Sequence, residues 1–186
     1  MRVDNSVTPA VPAGNFLVWL GEIKHAISDG ADSEVPCGTC SACCRSSQFI
    51  LVADTDAAAR SVIPADLLFA APGLAAGNHI MGYDSRGHCP MFGSDGCSIY
   101  SNRPQACRAY DCRIFAATGI EVAADGHTEI AARVQQWQFD LDAEGESALV
   151  DIRAAASYVS QNSASLGIGT SATAIAIAAI TMATQR

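Results

Sequence analysis

The residues with the clearest chemical potential in this 186-residue chain are its eight cysteines. They fall in three groups. The first is Cys37-Gly38-Thr39-Cys40-Ser41-Ala42-Cys43-Cys44, the second is Cys89-Pro90 with Cys97, and the third is Cys107-Arg108-Ala109-Tyr110-Asp111-Cys112. A C-x-x-C pair lets two thiolates converge on one ion from a tight turn, with the intervening backbone N–H groups turned toward sulfur. The small residues between these cysteines leave room for that turn. Four disulfides would also use an even number, but half of the cysteines crowd into eight residues, which opposes that pairing. Thioredoxin-type redox chemistry wants a lone C-x-x-C at a helix start in βαβ surroundings, and these are the wrong surroundings. Packing as small hydrophobes explains one or two cysteines and leaves the clustering unexplained. Metal binding is the chemistry that the pattern asks for.

Adjacent Cys43 and Cys44 cannot serve one tetrahedral ion together without strain, so they are expected to face different sites, or different metals of one cluster. Eight thiolates match two four-thiolate sites: two zinc ions, two iron–sulfur clusters, or one of each. The ladder Cys37, Cys40, Cys43 with the remote Cys89-Pro90 resembles the three-plus-one ligation of a [4Fe–4S] cubane, and the reading leans to iron–sulfur. Zinc held by four cysteines remains open. Arg45, Arg86, Arg103, Arg108 and Arg113 lie in the same block. A four-thiolate zinc site and an oxidised cubane each carry about −2, which nearby guanidinium groups stabilise. Arg103 and Arg108 are the expected cofactor-binding cations, with ordinary salt bridges as the competing reading. His88, beside Cys89, is a further candidate ligand. His25, His79 and His127 read as ordinary histidines, and Tyr100 and Tyr110 as packing residues.

The run C-G-x-C-x-x-C-C, then C-P, then G-C-S-I-Y-S-N-R-P-x-x-C-R-A-Y-x-C resembles the YkgJ family of cysteine-cluster proteins. The likeness covers Cys37 to Cys112, with Tyr100, Arg103, Pro104 and Arg108 in the expected order. It implies a zinc- or iron-chelating domain in which all eight cysteines are candidate metal ligands. It names a ligand class, not a reaction.

These groups need elements to position them. Phe16, Leu20, Ile23 and Ile27 make one apolar stripe, which predicts a helix over 15–27, with Gly30 as a stop. The first dozen residues read as a loose arm. Gln48 to Ala53 reads as a strand, Asp54-Thr55 as the cap of a helix through Arg60, and Pro64 as the start of a short helix through Ala70, ended by Pro72-Gly73. His79 to Tyr83 is strand-like. Beyond Cys112 the chain becomes helical. Ile130, Val134, Trp137 and Leu141 predict one stripe; Leu149, Ile152, Ala156 and Val159 predict a second. An Ala/Ile-rich helix closes the chain. The expected architecture is mainly α, with a cysteine-rich irregular metal-binding centre and a few short strands. It divides into an N-terminal arm and helix (1–30), a cysteine-cluster region (31–118) and a C-terminal helical region packed on it (119–186), together one globular unit.

Composition removes several function classes. Hydrophobic residues reach 49% and charged ones 16%, which excludes a disordered chain. The net charge of −8, with Lys24 the single lysine, argues against general nucleic-acid binding and anionic lipid surfaces. The early Asp4 and the short run 16–20 do not make a secretory leader, so a cytoplasmic setting with reduced thiols is expected. Leu166 to Ala183 carries no charge, but Ala, Thr, Ser and Gly dominate it; a buried helix is expected and not a membrane span. Gly167-Ile168-Gly169-Thr170-Ser171-Ala172 matches a dinucleotide fingerprint without the strand before it that the motif needs. Asp140, Asp142, Glu144 and Glu146 read as solvated surface. The leading expectation is a metalloprotein with a redox, metal-handling or structural role and metal ions as its partners. Two alternatives stay open: an enzyme using an open metal position beside Arg103 or Arg108, and a zinc-stapled interaction module.

Overall fold

The computed structural model describes residues 9–184. Seven α-helices and seven short strands lie among the described residues. With 46% of the described residues in helices and 3₁₀ turns, the mainly-α expectation holds.

Strand β1 (Val11–Asn15) leads directly into helix α1 (Phe16–Asp29). The Asn15 side chain accepts from Val18 N at 3.1 Å and caps the helix; Gly30, at φ 65°, ends it in the left-handed conformation that glycine adopts without strain. Phe16, Leu20 and Ile23 are buried as the stripe requires, joined by Trp19 and Ala26. Residues 1–8 of the expected arm lie outside the described residues; 11–15 form a strand, not a loose arm. That strand pairs in parallel with β7 (Trp137–Asp140), Val11 opposite Trp137. This corrects the helical stripe drawn through Trp137 and Leu141. Helix α5 stops at Val134 after starting at Thr128. The next residues are taken by the β1 ladder, and a Phe16–Trp19–Phe139 cluster, with ring centroids 4.8–5.5 Å apart, packs α1 against the new strand.

Helix α4 (Arg113–Thr118) starts directly after Cys112. Helices α6 (Ala143–Asn162) and α7 (Ala172–Ala183) pack along each other and against α4. Ile152, Ala156 and Val159 are buried as expected. Asp142 does more than face solvent: its carboxylate accepts from Gly145 N at 2.8 Å and caps α6. Among the described residues no helix is long and apolar enough to cross a membrane. A large core runs through Phe16, Trp19, Phe115, Ile130, Trp137, Ile152 and Ile180, and it includes Cys112.

A smaller core, Val52, Ala59, Ile63, Met81 and Cys89, lies under an antiparallel sheet. Its strands are β2 (Ile50–Val52), β3 (Leu68–Ala70) and β4 (His79–Met81), in the order β2-β4-β3. Here the sequence expectations shift by a few residues. Helix α2 is Ala57–Val62, entered through Asp56 and not through Asp54-Thr55. The helix expected from Pro64 to Ala70 is one 3₁₀ turn, Ala65–Leu67, because Leu68 to Ala70 pair with β4 as strand β3. A tight hairpin of β5 (Phe92–Gly93) and β6 (Gly96–Cys97) and the single turn α3 (Gln105–Arg108) complete this part.

Candidate metal centre

All eight cysteines are free thiols; Cys89 and Cys112 are buried and the other six partly so. The fold gathers them from separate elements into two neighbourhoods. Cys37 and Cys40 share a turn closed by Cys40 N on Cys37 O at 3.0 Å. Gly38, at φ 57°, gives that turn its left-handed step. Cys43 and Cys44 open a 3₁₀ turn, Cys43–Arg45, which is pinned by the Ser46 hydroxyl donating to Ala42 O at 2.7 Å. In such a turn successive side chains diverge, so the two neighbours look in different directions.

The thiolates report their surroundings through the charges that they feel. Burial pushes the Cys43 thiol far above the ordinary range, and the charges of Cys112, Cys37, Cys44 and Cys40 push it further. Burial raises Cys112 to about 12; a hydrogen bond from Trp137 opposes this, while Asp111, Cys37 and Cys40 add to it. Cys37 is raised by burial and then by Cys40. Cys37, Cys40, Cys43 and Cys112 therefore form one set. On the other side, burial lifts Cys44 to about 11, aided by Cys89 and Cys97. Cys107 is lifted to about 12 by burial and then by Cys89, Cys44 and Cys97. Cys89 is raised by burial, and Cys97 is the thiol acting on it. Cys44, Cys89, Cys97 and Cys107 form the second set. The two sets touch through the Cys43–Cys44 peptide and a minor influence of Cys40 on Cys44. By these influences Cys112 lies nearer the Cys37–Cys40–Cys43 ladder than Cys89 does. The sequence reading paired the ladder with Cys89 because of its following proline; the thiol that acts on Cys89 is Cys97.

Cys112 is fixed by both its chain neighbours. Arg113 and Asp111 form a buried ion pair, Nη2 to Oδ2 at 2.8 Å, with side chains 5% and 1% exposed. Trp19 Nε1 donates to the same carboxylate at 2.9 Å. Arg113 reaches on to Ala13 O at 3.0 Å and Glu34 O at 3.1 Å. One fully bonded pair thus ties β1, α1 and the approach to Cys37 onto residue 112. Breaking such a pair costs about 3–5 kcal/mol, because a charge is left buried and alone. Trp137 Nε1 donates to Cys112 Sγ at 3.2 Å.

The second set is held by shorter connections. Cys89 N donates to Cys44 O at 2.7 Å, tying the first cysteine group to the second. Cys97 lies opposite Phe92 in the β5–β6 hairpin. Cys107 sits on α3, whose first N–H, that of Gln105, donates to Asp56 Oδ1 at 2.9 Å, while Asp56 Oδ2 accepts from Ala53 N at 3.0 Å. Arg103 stacks 3.7 Å over the Tyr100 ring, and its charge lowers Cys44 and Cys107. Arg108 turns elsewhere: Nε donates to Asp32 at 3.0 Å, and its other nitrogens bond Arg103 O and Gln105 Oε1. His88 Nδ1 is buried with no hydrogen-bond partner among the described residues, and its ring lies edge-on to Phe92 at 5.8 Å. His127 Nδ1 lies 2.6 Å from Ser46 O and so supports the Cys43 turn, a role that the sequence reading missed.

Both sets suit a soft or borderline cation. Their donors are sulfur alone, half-buried, and short of other polar partners. They are neighbourhoods and not finished coordination spheres: among the described residues no three Cys, His, Asp or Glu side chains are drawn together closely enough to hold an ion. In thiolate sites generally, metal binding supplies the energy for such a convergence.

Residues 36–125 match the CxxCxxCC family, described as a putative zinc- or iron-chelating domain. This segment is similar to that family over 90 of the chain's 186 residues. It is the cysteine-cluster family that the motif resembles, and all eight cysteines fall inside it. No curated protein and no solved structure matches the chain. Trp19, Arg133 and Trp137 reach the matched segment from outside its bounds, bonding Asp111, Cys37 O and Cys112 Sγ. Sequence spacing gave no sign of them: Trp137 read as part of an apolar stripe, and Trp19 and Arg133 did not stand out.

Proposed function

We propose that the chain is a metalloprotein with two four-thiolate centres: Cys37, Cys40, Cys43 and Cys112 hold one, and Cys44, Cys89, Cys97 and Cys107 hold the other. What carries the reading is placement: Cys37 and Cys40 share one turn, Cys89 N bonds Cys44 O at 2.7 Å, and the thiols that act most on Cys112 and Cys107 come from these two different neighbourhoods. The first set keeps the three-rung ladder with a remote fourth cysteine, the pattern that favours a [4Fe–4S] cluster. The second, with its ligands spread over Cys44 to Cys107, takes zinc or a second cluster. A bound cubane supplies one-electron chemistry, which makes a redox role the leading one. The chain's own residues exclude water from Cys112, place the Arg133 and Arg113 charges near Cys37 and bring Arg103 to Cys44 and Cys107.

One observation favours an enzymatic variant of this reading. A recess of about 230 Å³, lined by Ser47, Gln48, Phe49, Tyr110, His127 and Thr173, adjoins the first set through Tyr110, which feels Cys43 and Cys112. A metal with an open position there would meet a polar cleft, whereas Arg108, tied to Asp32, offers none.

Protein purified without oxygen tests the metal. Brown protein with broad absorption near roughly 400 nm, bleached by reductant and carrying acid-labile sulfide, supports the cluster. Colourless protein with stoichiometric zinc and no sulfide overturns it and leaves a closed zinc module.

A further inference from the structure

The two centres differ in what surrounds the sulfur. Cys112 is 5% exposed and receives the indole N–H of Trp137, itself 6% exposed, at 3.2 Å. The other face of that indole carries a cation: the Arg133 guanidinium carbon lies 4.3 Å from the ring centroid. Arg133 is held there by Nη1 on Gln136 Oε1 at 3.1 Å and, more loosely, by Nη2 on Cys37 O at 3.4 Å. Its Nε is buried and has no hydrogen-bond partner among the described residues. A buried guanidinium nitrogen without an acceptor is costly, and the charge of this arginine acts on the Cys37 thiol. The parallel register Val11↔Trp137 fixes the indole, and the end of α5 fixes the arginine. Among the described residues no tryptophan N–H bonds the second set, since Trp19 bonds Asp111 and Trp137 bonds Cys112; its nearby arginine is tied to Tyr100, which is 63% exposed.

We infer that Trp137 and Arg133, both outside the family domain, are positioning residues of the first centre: the indole N–H donates to the metal-bound sulfur of Cys112, and the guanidinium backs the ring and supplies its free N–H and positive charge to the thiolate set. This inference rests on the two-centre reading. A hydrogen bond to a ligating sulfur draws electron density from it, orients it and counters the accumulated negative charge of four thiolates. Partners of this kind are typically worth tenfold to a hundredfold in metal affinity. The consequence is an inequality: the first centre is tuned by the C-terminal part of the chain and the second is not.

The test uses the full chain loaded with cobalt(II), whose thiolate-to-metal charge-transfer bands report the sulfur ligands, with chelator competition for affinity. The parent should bind two ions. Trp137→Phe keeps the aromatic ring and removes the donor. It should weaken one ion by about tenfold to a hundredfold and shift that ion's charge-transfer band. The ion left after partial chelation should match the spectrum of Cys112→Ser, which retains only the second centre. Arg133→Leu should weaken the same ion, and Arg133→Lys should restore part of the loss. A purely structural role for Trp137 predicts a lower melting temperature with unchanged affinity and bands, and that result overturns the inference. If Trp137→Phe does not fold, Arg133→Leu decides alone, and parental affinity and spectrum in it overturn the proposal. A parent protein with no thiolate-bound cobalt contradicts the two-centre reading itself and removes this inference with it.

Discussion

Burial, and repulsion from neighbouring sulfurs, keep Cys37, Cys43, Cys44, Cys89, Cys107 and Cys112 protonated in the metal-free fold. Cys44 is raised to about 11, and Cys107 and Cys112 to about 12, in each case first by burial. Two consequences follow, with defined signs. A metal must displace protons from these groups, so affinity rises with pH. For zinc, the affinity between pH 6 and 8 should climb by about a hundredfold or more per unit, since each released proton contributes about tenfold; calorimetry in buffers of different ionisation enthalpy counts those protons. Affinity that does not change with pH contradicts the thiol assignment. The second consequence concerns the fold without metal. A group whose folded pKa lies above its unfolded value adds stability that is present below the unfolded pKa and lost as pH rises toward the folded one. Metal-free protein should therefore lose stability from about pH 9, the ordinary thiol range, upward through 11 and 12. The metal-loaded protein, whose sulfurs are already deprotonated, should be far less sensitive. Melting curves at pH 8 and pH 10 with and without metal test this.

At the scale of elements, each cysteine is delivered by a short piece of structure with its own fastening. Asp56 is the clearest case. It is 7% exposed and accepts from Ala53 N and Gln105 N, so it fastens the β2–α2 corner to the turn that carries Cys107. Asp56→Ala leaves two backbone donors without that partner and should cost about 1–3 kcal/mol. It should loosen the second metal while leaving the first in place. Loss of both metals together contradicts the separation of the centres. Much of this was readable in the chain. The eight cysteines, the stripe of α1, the strand at 50–52 and the α6 stripe stood out from residue type and period alone. The grouping of the cysteines did not. Whether Cys89 or Cys112 joins the ladder depends on the buried Asp111–Arg113 pair reaching Ala13 and Glu34, contacts across about 100 and 79 positions of sequence. Trp137 was misread for a related reason. Its spacing from Ile130 and Val134 suits a helix, but a parallel partner strand from residues 11–15 overrides local period. Asp56 lay one position beyond the cap expected from Asp54-Thr55, and its bond to Gln105 is again non-local.

Across the whole molecule, the two centres stand in unequal surroundings. The first is embedded in the large core through Cys112 and has Cys40 packed against it. The second shares a small core of Val52, Ala59, Ile63 and Met81 in which Cys89 is itself a member. So small a core buries little apolar area, and on the two-centre reading a metal staple supports it. Removing metal with a strong chelator should lower the melting temperature, and hydrogen exchange should show where. Amides of β2, β3 and β4 should lose protection, while those of α6 and α7 keep most of theirs. Uniform loss of protection would indicate that metal supports the whole chain equally.

The account turns on two centres that are chemically separable although residues 43 and 44 are adjacent. Metal content per chain in Cys112→Ser and Cys107→Ser, each purified anaerobically beside the parent, measures this directly. For an ion per centre, each variant should keep the other centre's metal, falling from two ions to one. Where a centre holds a cubane, iron and sulfide should fall together by that cluster's share. Cys43→Ser should follow Cys112→Ser, and Cys44→Ser should follow Cys107→Ser. Complete loss of metal in all four variants, or pairing of Cys43 with Cys107, would contradict the account.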